Sequence, residues 1–243
     1  GRMLVYASAK EGPLQLYIQS MEDMIPLPVT KGEGGGDDHP SWSPTSDWLA
    51  FMRGDGRERR DLYIVEAAED ATPLQVLEGN DDHPEQGGHP IFLPGGKTLL
   101  IGADRREHQG TTLWKVDIES GAIERFTPGN KSNYWVIDKQ PALSPDGKRI
   151  VFASNRHASS ADDADDFDVY SIALDGSGLT RLTDDPGTVE HPSFSPDGKR
   201  IFFASTRLRS AGFEWEIRDG LGGGRAEETD PRSHAAKQQP LRR

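Results

Sequence analysis

Hydrophobic residues in this chain come in short runs, and polar turn residues separate each run from the next. The run "RIVFAS" at 149–154, for example, directly follows the turn sequence "SPDGK" at 144–148. Short runs rich in Val, Ile and Phe, bounded by Gly and Pro, are typical of β-strands. The chain contains 27 Gly and 17 Pro among 243 residues. This pattern predicts an all-β fold with many tight turns.

The same order of strands and turns occurs four times. The copies begin with His-Pro or Gln-Pro at His39, His89, Gln140 and His191, at intervals of 50, 51 and 51 residues. A fixed interval of this size indicates a repeat architecture. Each copy contains a first strand, a tight turn, a second strand, a third strand centred on an aromatic residue, and a fourth strand. Four antiparallel strands per repeat predict the blades of a β-propeller.

The start of the chain fits the same order without a first strand. We therefore predict a single β-propeller domain over residues 1–220, with about five units of which the terminal ones are incomplete, and a polar tail at 221–243. The predicted units cover residues 2–31, 39–78, 89–127, 140–183 and 191–218.

Two details of the repeat give local predictions. Gly147 and Gly198 follow Pro-Asp in the turns, so both are expected to have a positive φ. Strand alternation should bury the recurring aromatic residues between neighbouring blades. These aromatic residues are Trp42, Tyr63, Phe92, Trp114, Tyr170 and Phe194.

Charge and composition narrow the possible partners. The formal net charge of −12 disfavours nucleic acid, because phosphate backbones repel an acidic surface. The absence of cysteine excludes disulfides and thiolate chemistry. No apolar run has the length of a membrane span, so membrane insertion is not expected. No signal peptide is visible at the start of the sequence.

The repeats resemble the WD40-like (PD40) repeat of TolB-type β-propellers. The resemblance is closest in "QPALSPDGKRIVFASNR", "DVYSIALDGSGLTRLT" and "HPSFSPDGKRIFFASTR", and looser over residues 39–127, where "SPTSD" and "LPGGK" replace "SPDGK". It implies a periplasmic or secreted protein that binds other proteins. Propellers of this type commonly close with six blades. Some relatives are propeller domains of serine oligopeptidases or sugar-processing enzymes, so the resemblance predicts the fold more firmly than the function.

The repeated His and Gln residues form the first candidate site. Equivalent positions of a propeller lie on a ring near one mouth of the central channel, so His39, His89, Gln140 and His191 are candidate ligands for a divalent metal such as Zn, Mn or Ni. Acidic neighbours could orient the imidazole rings. The resemblance adds that some propeller lyases of pectic oligosaccharides have a His/Gln manganese site. The alternative is structural, since a His before Pro can bond a neighbouring blade and need no cofactor.

Acidic residues in the same connections form the second candidate site. They are expected to share one rim and to attract a cationic segment of a protein partner or a metal ion. The alternative is that these loops are simply polar. The proposed rim comprises Asp37, Asp38, Asp184, Asp185 and Glu190, together with Asp81, Asp82 and Asp138.

Three further motifs are read mainly as loop features. His83 lies outside the repeat positions. The acidic insertion at 159–168 has carboxylates for a hard cation, but its spacing differs from that of the helix-loop-helix calcium motif. "RGD" at 53–55 follows a strand in a turn-rich segment and is explained by turn chemistry.

Sequence motifs of common enzymes are missing. The chain has no GxSxG, no HExxH and no phosphate-binding loop. We therefore predict a non-catalytic, extracytoplasmic propeller that acts as a protein-binding or scaffold module. The alternative is a metal-dependent propeller enzyme that acts on oligosaccharides. The sequence leaves the oligomeric state open.

Overall fold

The fold consists of β-strands and turns. The structure is a computed structural model that describes residues 2–10, 12–54, 56, 60–78, 88–104, 110–129, 136–158, 165–184, 187–206, 213–214 and 227–228. Across these ranges it contains nineteen strands and no helix, which confirms the all-β class. Consequently, no helix of the described residues has the length and hydrophobicity that crossing a membrane requires.

The strands form successive units along the chain. The first unit contains β1 (Met3–Ser8), β2 (Gln15–Ser20) and β3 (Pro26–Pro28). The second contains β4 (Gly36–Trp42), β5 (Trp48–Gly54), β6 (Arg60–Glu66) and β7 (Leu74–Leu77). The third contains β8 (Gly88–Phe92), β9 (Thr98–Asp104), β10 (Gly110–Asp117) and β11 (Ile123–Arg125). The fourth contains β12 (Val136–Leu143), β13 (Arg149–Ser154), β14 (Asp168–Ala173) and β15 (Thr180–Arg181).

The fifth unit contains β16 (Val189–Phe194) and β17 (Ile201–Ser205). Beyond it, β18 (Phe213–Glu214) pairs with β19 (Glu227–Glu228).

Strands that follow one another in a unit pair antiparallel. The sheet orders are β1-β2-β3 in the first unit and β4-β5-β6-β7 in the second. A short parallel pairing of β10 with β12 joins the third and fourth units into one larger sheet. The predicted division of the chain into blades of one closed propeller stays a prediction.

The His-Pro and Gln-Pro dipeptides form a repeated β-bulge. The pairing register of the first strand shifts at this dipeptide in all four copies, for example between Asp38 and Ser41 and between Lys139 and Ala142. The residue before Pro has a positive φ, from 51° at His39 to 58° at His89. A bulge bends the strand and changes the direction of a side chain, and it accommodates a Pro that cannot donate a ladder hydrogen bond. This geometry explains why the dipeptide recurs.

The turns after the bulges behave as predicted. Gly147 has a φ of 72° and Gly198 a φ of 70°, in the left-handed region that glycine adopts without strain. The hydroxyl of Ser195 donates to Asp197 at 2.6 Å and accepts from the backbone N–H of Arg200 at 2.9 Å. The same bonds form around Ser144.

The core lies between neighbouring units. Four clusters of buried hydrophobic side chains each combine residues from two successive units. Among the predicted core aromatics, Phe92, Trp114 and Tyr170 are buried, while Trp42, Tyr63 and Phe194 are partly buried against these clusters. The burial predicted for the repeated aromatics is therefore confirmed, completely for three of them and partly for the others.

Candidate functional site

The four bulges bring their side chains to one place. We call His39, His89, Gln140 and His191 the mouth cluster. The ring centroids of His39 and His89 are 3.9 Å apart, and those of His89 and His191 are 5.8 Å apart. The amide nitrogen Nε2 of Gln140 lies 3.1 Å from Nε2 of His191. Residues separated by about fifty positions in the chain therefore meet, as the repeat predicted.

Three members of the mouth cluster, His39, His89 and Gln140, line a cavity of about 350 Å³. Such a volume is at the small end of the range for ligand pockets. Backbone and side chains from three units line it, so its shape depends on how the units pack. The lining residues are His39, Arg60, Gly88, His89, Thr111, Ile137, Lys139, Gln140 and Phe167.

Asp38 fixes the orientation of one imidazole. Nδ1 of His39 donates to Oδ1 of Asp38 at 2.9 Å, and Nη1 of Arg60 donates to both carboxylate oxygens at 2.6 and 2.5 Å. Burial raises the pKa of Asp38, but the hydrogen bonds from His39 and Arg60 and the positive charge of Arg60 outweigh it and leave the pKa lowered. Asp38 is therefore ionised at neutral pH, and Nε2 of His39 is the ring nitrogen left to meet a ligand.

A second ion pair involves Lys139, which also lines the cavity. Nζ of Lys139 donates to Oε1 of Glu190 at 2.7 Å and lies 3.8 Å from the centroid of the Phe167 ring. The hydrogen bond from Lys139, together with nearby positive charges, lowers the pKa of Glu190. The cavity wall thus carries charges of both signs that already neutralise one another in pairs.

The donor types of the mouth cluster suit a divalent transition metal, and the bond between Asp38 and His39 is the kind of outer contact that metal-binding imidazoles use. The side-chain oxygen of Gln140, however, already accepts a hydrogen bond from the backbone N–H of His191 at 2.7 Å. Within the described ranges, no group of three or more His, Asp or Glu side chains is arranged to hold a metal ion. Metal binding at the mouth cluster stays a prediction.

Two residues of the predicted acidic rim lie inside the protein. Asp37 is fully buried, and its oxygens accept from Nε and Nη2 of Arg53 at 2.6 and 3.0 Å. Asp138 is also fully buried and accepts from Arg156, Ser154 and Thr127 at 2.5, 2.6 and 2.7 Å. Because Thr127 belongs to the third unit and Asp138 to the fourth, the second carboxylate joins two units. Both carboxylates are buried rather than on an exposed rim: Asp37 bonds within the second unit, and Asp138 joins the third unit to the fourth.

The other rim residues have different surroundings. Asp184 is exposed, while Glu190 and Asp38 are paired with Lys139 and Arg60, which line the cavity. Asp81, Asp82 and Asp185, together with His83, lie outside the described residues. A role for Asp38, Asp184, Asp185 and Glu190 in binding a partner stays a prediction.

The acidic insertion and the "RGD" motif are partly described. Asp168 is buried and bonded to Arg181 and Thr183, so its carboxylate serves the fold. Asp162 and Asp163 lie outside the described residues. Arg53 of "RGD" is held by Asp37 within the second unit, and Asp55 lies outside the described part.

Sequence reasoning missed six residues of the cavity wall: Arg60, Gly88, Thr111, Ile137, Lys139 and Phe167. Gly88 and Lys139 directly precede repeat positions, so their place in the repeat could have predicted them. Gly88 has a φ of 53°, and a Cβ there would lie 3.1 Å from Nδ1 of His39. Glycine therefore leaves room for His39 to approach His89. Nothing in the repeat indicated Arg60 or Phe167, because they come from third-strand regions of variable sequence.

Comparisons with known proteins identify the fold. No protein-family model matches the chain. An uncharacterised protein of Agrobacterium fabrum is 29% identical over 184 residues, which cover 74% of this chain and 54% of that protein. The chain thus spans about half the length of this curated relative.

Solved structures with the same fold are TolB-like propellers. TolB from Acinetobacter baumannii has a TM-score of 0.68 and 19% identity, over 90% of this chain and 51% of that one. A putative TolB from Agrobacterium tumefaciens has a TM-score of 0.68 and 22% identity, over 94% and 76%. An oligogalacturonate lyase in complex with manganese has a TM-score of 0.61 and 18% identity, over 88% and 59%. The chain therefore has a TolB-like propeller fold.

Proposed function

We propose that this chain is a non-catalytic binding module that holds a segment of a protein partner at the mouth cluster. The observation that carries the proposal is the convergence of four side chains, each on a bulge of a different unit, of which His39, His89 and Gln140 line one cavity. Bulges are enriched beside binding and active sites, because they redirect a side chain. A positive φ is unfavourable for a residue other than glycine, and this chain has one in all four bulges. A binding role would explain why these residues are His and Gln rather than Gly.

The chemistry of the cavity wall fits a polar peptide segment. Imidazole and amide groups can both donate and accept hydrogen bonds, and the Ile137 and Phe167 side chains add apolar contact area. The exposed carboxylate of Asp184 is the one that a cationic side chain of the partner could approach, whereas Glu190 is already paired with Lys139. Such contacts would make the association faster at low salt than at high salt. An extracytoplasmic location belongs to the same proposal and rests on the likeness to TolB.

The experiment is site-specific photo-cross-linking in an extract of the organism that makes the protein. A benzophenone amino acid replaces Gln140 at the mouth, or Leu74 on the outer strand β7 as the matched control. We expect a discrete cross-linked protein from position 140 that is missing from position 74 and that weakens at high salt. Equal cross-linking from both positions, or none from position 140, would contradict the proposal.

A metal-dependent enzyme is the second candidate, because the structure brings three imidazoles together and one protein of similar fold was solved in complex with manganese. His39, His89 and His191 would hold the ion, which would supply a Lewis acid, and their imidazoles would have to rearrange to do so, because no three side chains of the described residues are arranged to hold a metal ion. Metal analysis of the purified protein, with thermal melts before and after chelation, tests this candidate. Bound Mn or Zn whose removal lowers the melting temperature would support it. A metal-free protein with an unchanged melt would exclude it.

A further inference from the structure

The outer strands of the third and fourth units carry equivalent arginines, but only one of them has a carboxylate partner. In the fourth unit, Arg181 of β15 lies opposite Tyr170 of β14. In the third unit, Arg125 of β11 lies opposite Trp114 of β10. Nε and Nη2 of Arg181 both donate to the buried carboxylate of Asp168, with Nε at 2.8 Å. That carboxylate therefore neutralises the guanidinium of the fourth unit.

The third unit has Thr112 at the position that Asp168 occupies in the fourth. Each residue lies two positions before the aromatic residue of its strand. The backbone around them is held in the same way, since the N–H of the next residue donates to a threonine Oγ1 at 3.0 Å in both units. The second unit also has an acid at this position, Asp61, which accepts from Gln75 of the outer strand at 3.2 Å. The third unit therefore lacks a carboxylate that both of its neighbours have.

The atoms that would meet this carboxylate are buried and unpartnered. Within the described ranges, Nε and Nη2 of Arg125 and Oγ1 of Thr112 form no hydrogen bond. The same two nitrogens of Arg181 hold the carboxylate in the fourth unit. Burial lowers the pKa of Arg125, and the attraction of Asp138 is opposed by the repulsion of Arg156. A buried charged donor without an acceptor is unfavourable, so an acceptor at this position would stabilise the folded protein.

We propose that Arg125 and Thr112 bind a small carboxylate anion from outside the chain, in the place that the carboxylate of Asp168 has in the fourth unit. A guanidinium presents parallel N–H donors that match the two oxygens of a carboxylate, and the threonine hydroxyl is a further donor. The ligand must be small because the unpartnered atoms are buried, and it can approach from solvent because Arg125 is partly exposed. Neither residue lines the cavity at the mouth cluster, so this site is independent of the proposed function.

Acetate is the probe, and thermal melts at neutral pH compare sodium acetate with sodium chloride at equal ionic strength. A ligand that binds only the folded state stabilises it by mass action, so acetate should raise the melting temperature of the native chain by about 2–4 °C relative to chloride. Arg125→Met should remove this difference. Arg149→Met is the matched control, because Nη2 of Arg149 already donates to Ser171 at 2.7 Å, and this variant should respond to acetate like the native chain.

Thr112→Asp tests the same site by supplying the missing carboxylate within the chain. In chloride this variant should melt at a higher temperature than the native chain, and acetate should no longer raise its melting temperature. The proposal is overturned if acetate and chloride give the native chain the same melting temperature, or if Thr112→Asp still responds to acetate. It is also overturned if acetate raises the melting temperatures of the native chain and Arg125→Met equally, because that is a general salt effect.

Discussion

Asp37 and Asp38 are neighbours in the chain and carry the same side chain, but they belong to different parts of the molecule. Asp37 is buried within the second unit and held by two nitrogens of Arg53. Asp38 accepts hydrogen bonds from His39 and Arg60, which line the cavity. The difference follows from strand alternation, which sends adjacent side chains to opposite sides, and from the bulge that begins at the next residue. Neighbouring acidic residues in one connection can therefore have different roles. One stabilises the interior of a unit, and the other orients side chains of the candidate site.

The largest expected effect comes from the joint between the third and fourth units. Asp138→Asn removes the buried carboxylate that accepts from Arg156, Ser154 and Thr127 and should lower the free energy of unfolding by about 3–5 kcal/mol. Urea denaturation measures the change. Asp138→Asn combined with Arg156→Met should recover part of the loss. A change in the free energy of unfolding below about 1 kcal/mol, the value typical of an exposed ion pair, would show that Asp138 and Arg156 do not form a stabilising buried pair.

The repeated turns offer a second comparison of identical residues in different surroundings. A Cβ at Gly147 would lie 2.9 Å from Cγ of Pro94, whereas the nearest atom at Gly198 is Cδ of Pro145 at 3.6 Å. Valine at either position is strained at positive φ and should cost about 1–3 kcal/mol. Gly147→Val should cost more than Gly198→Val, because it adds a collision between units. Thermal melts of the two variants measure this difference. Equal losses of stability would show that the contact with Pro94 adds nothing to the cost of valine at position 147.

Asp38→Asn should have a smaller effect on stability, about 1–2 kcal/mol at neutral pH, because the carboxylate is only partly enclosed. The folded state lowers the pKa of Asp38, so its contribution is present above the ordinary pKa of an Asp and is lost as the pH falls through the lowered value. The difference in stability between the native chain and Asp38→Asn should therefore disappear in acid. A difference that is constant from neutral to acidic pH would show that ionisation of Asp38 has no part in it.

The smallest effect is expected at the turn of the second unit. Ser46 has a φ of 64°, at the place where the later copies have glycine. Ser46→Gly should stabilise the protein by about 0.5–1 kcal/mol, because it relieves the left-handed backbone. Chemical denaturation measures this change in stability. A loss of stability would mean that the contacts of the Ser46 side chain stabilise the turn by more than the strained backbone destabilises it.

The sequence predicted the architecture better than the surroundings of individual charges. The repeat interval was enough to predict that His39, His89, Gln140 and His191 would meet, because equivalent positions of stacked units share one end. The repeat interval could not predict that Asp37 would be buried. Its partner Arg53 lies on another strand, and no local sequence pattern indicates that the two residues form a pair. Arg60 and Phe167 were missed for the same reason, since only the packing of units brings them to the cavity.

The central claim is that the mouth cluster is the binding site, and the affinity of the cross-linked partner tests it most directly. The informative variant combines His39→Asn, His89→Asn and His191→Asn, because asparagine tolerates positive φ and so preserves the bulges. Calorimetric titration should show binding to this variant weakened by at least about tenfold, or roughly 1.4 kcal/mol, with an unchanged melting temperature. Equal affinity for the native chain and the variant would contradict the account.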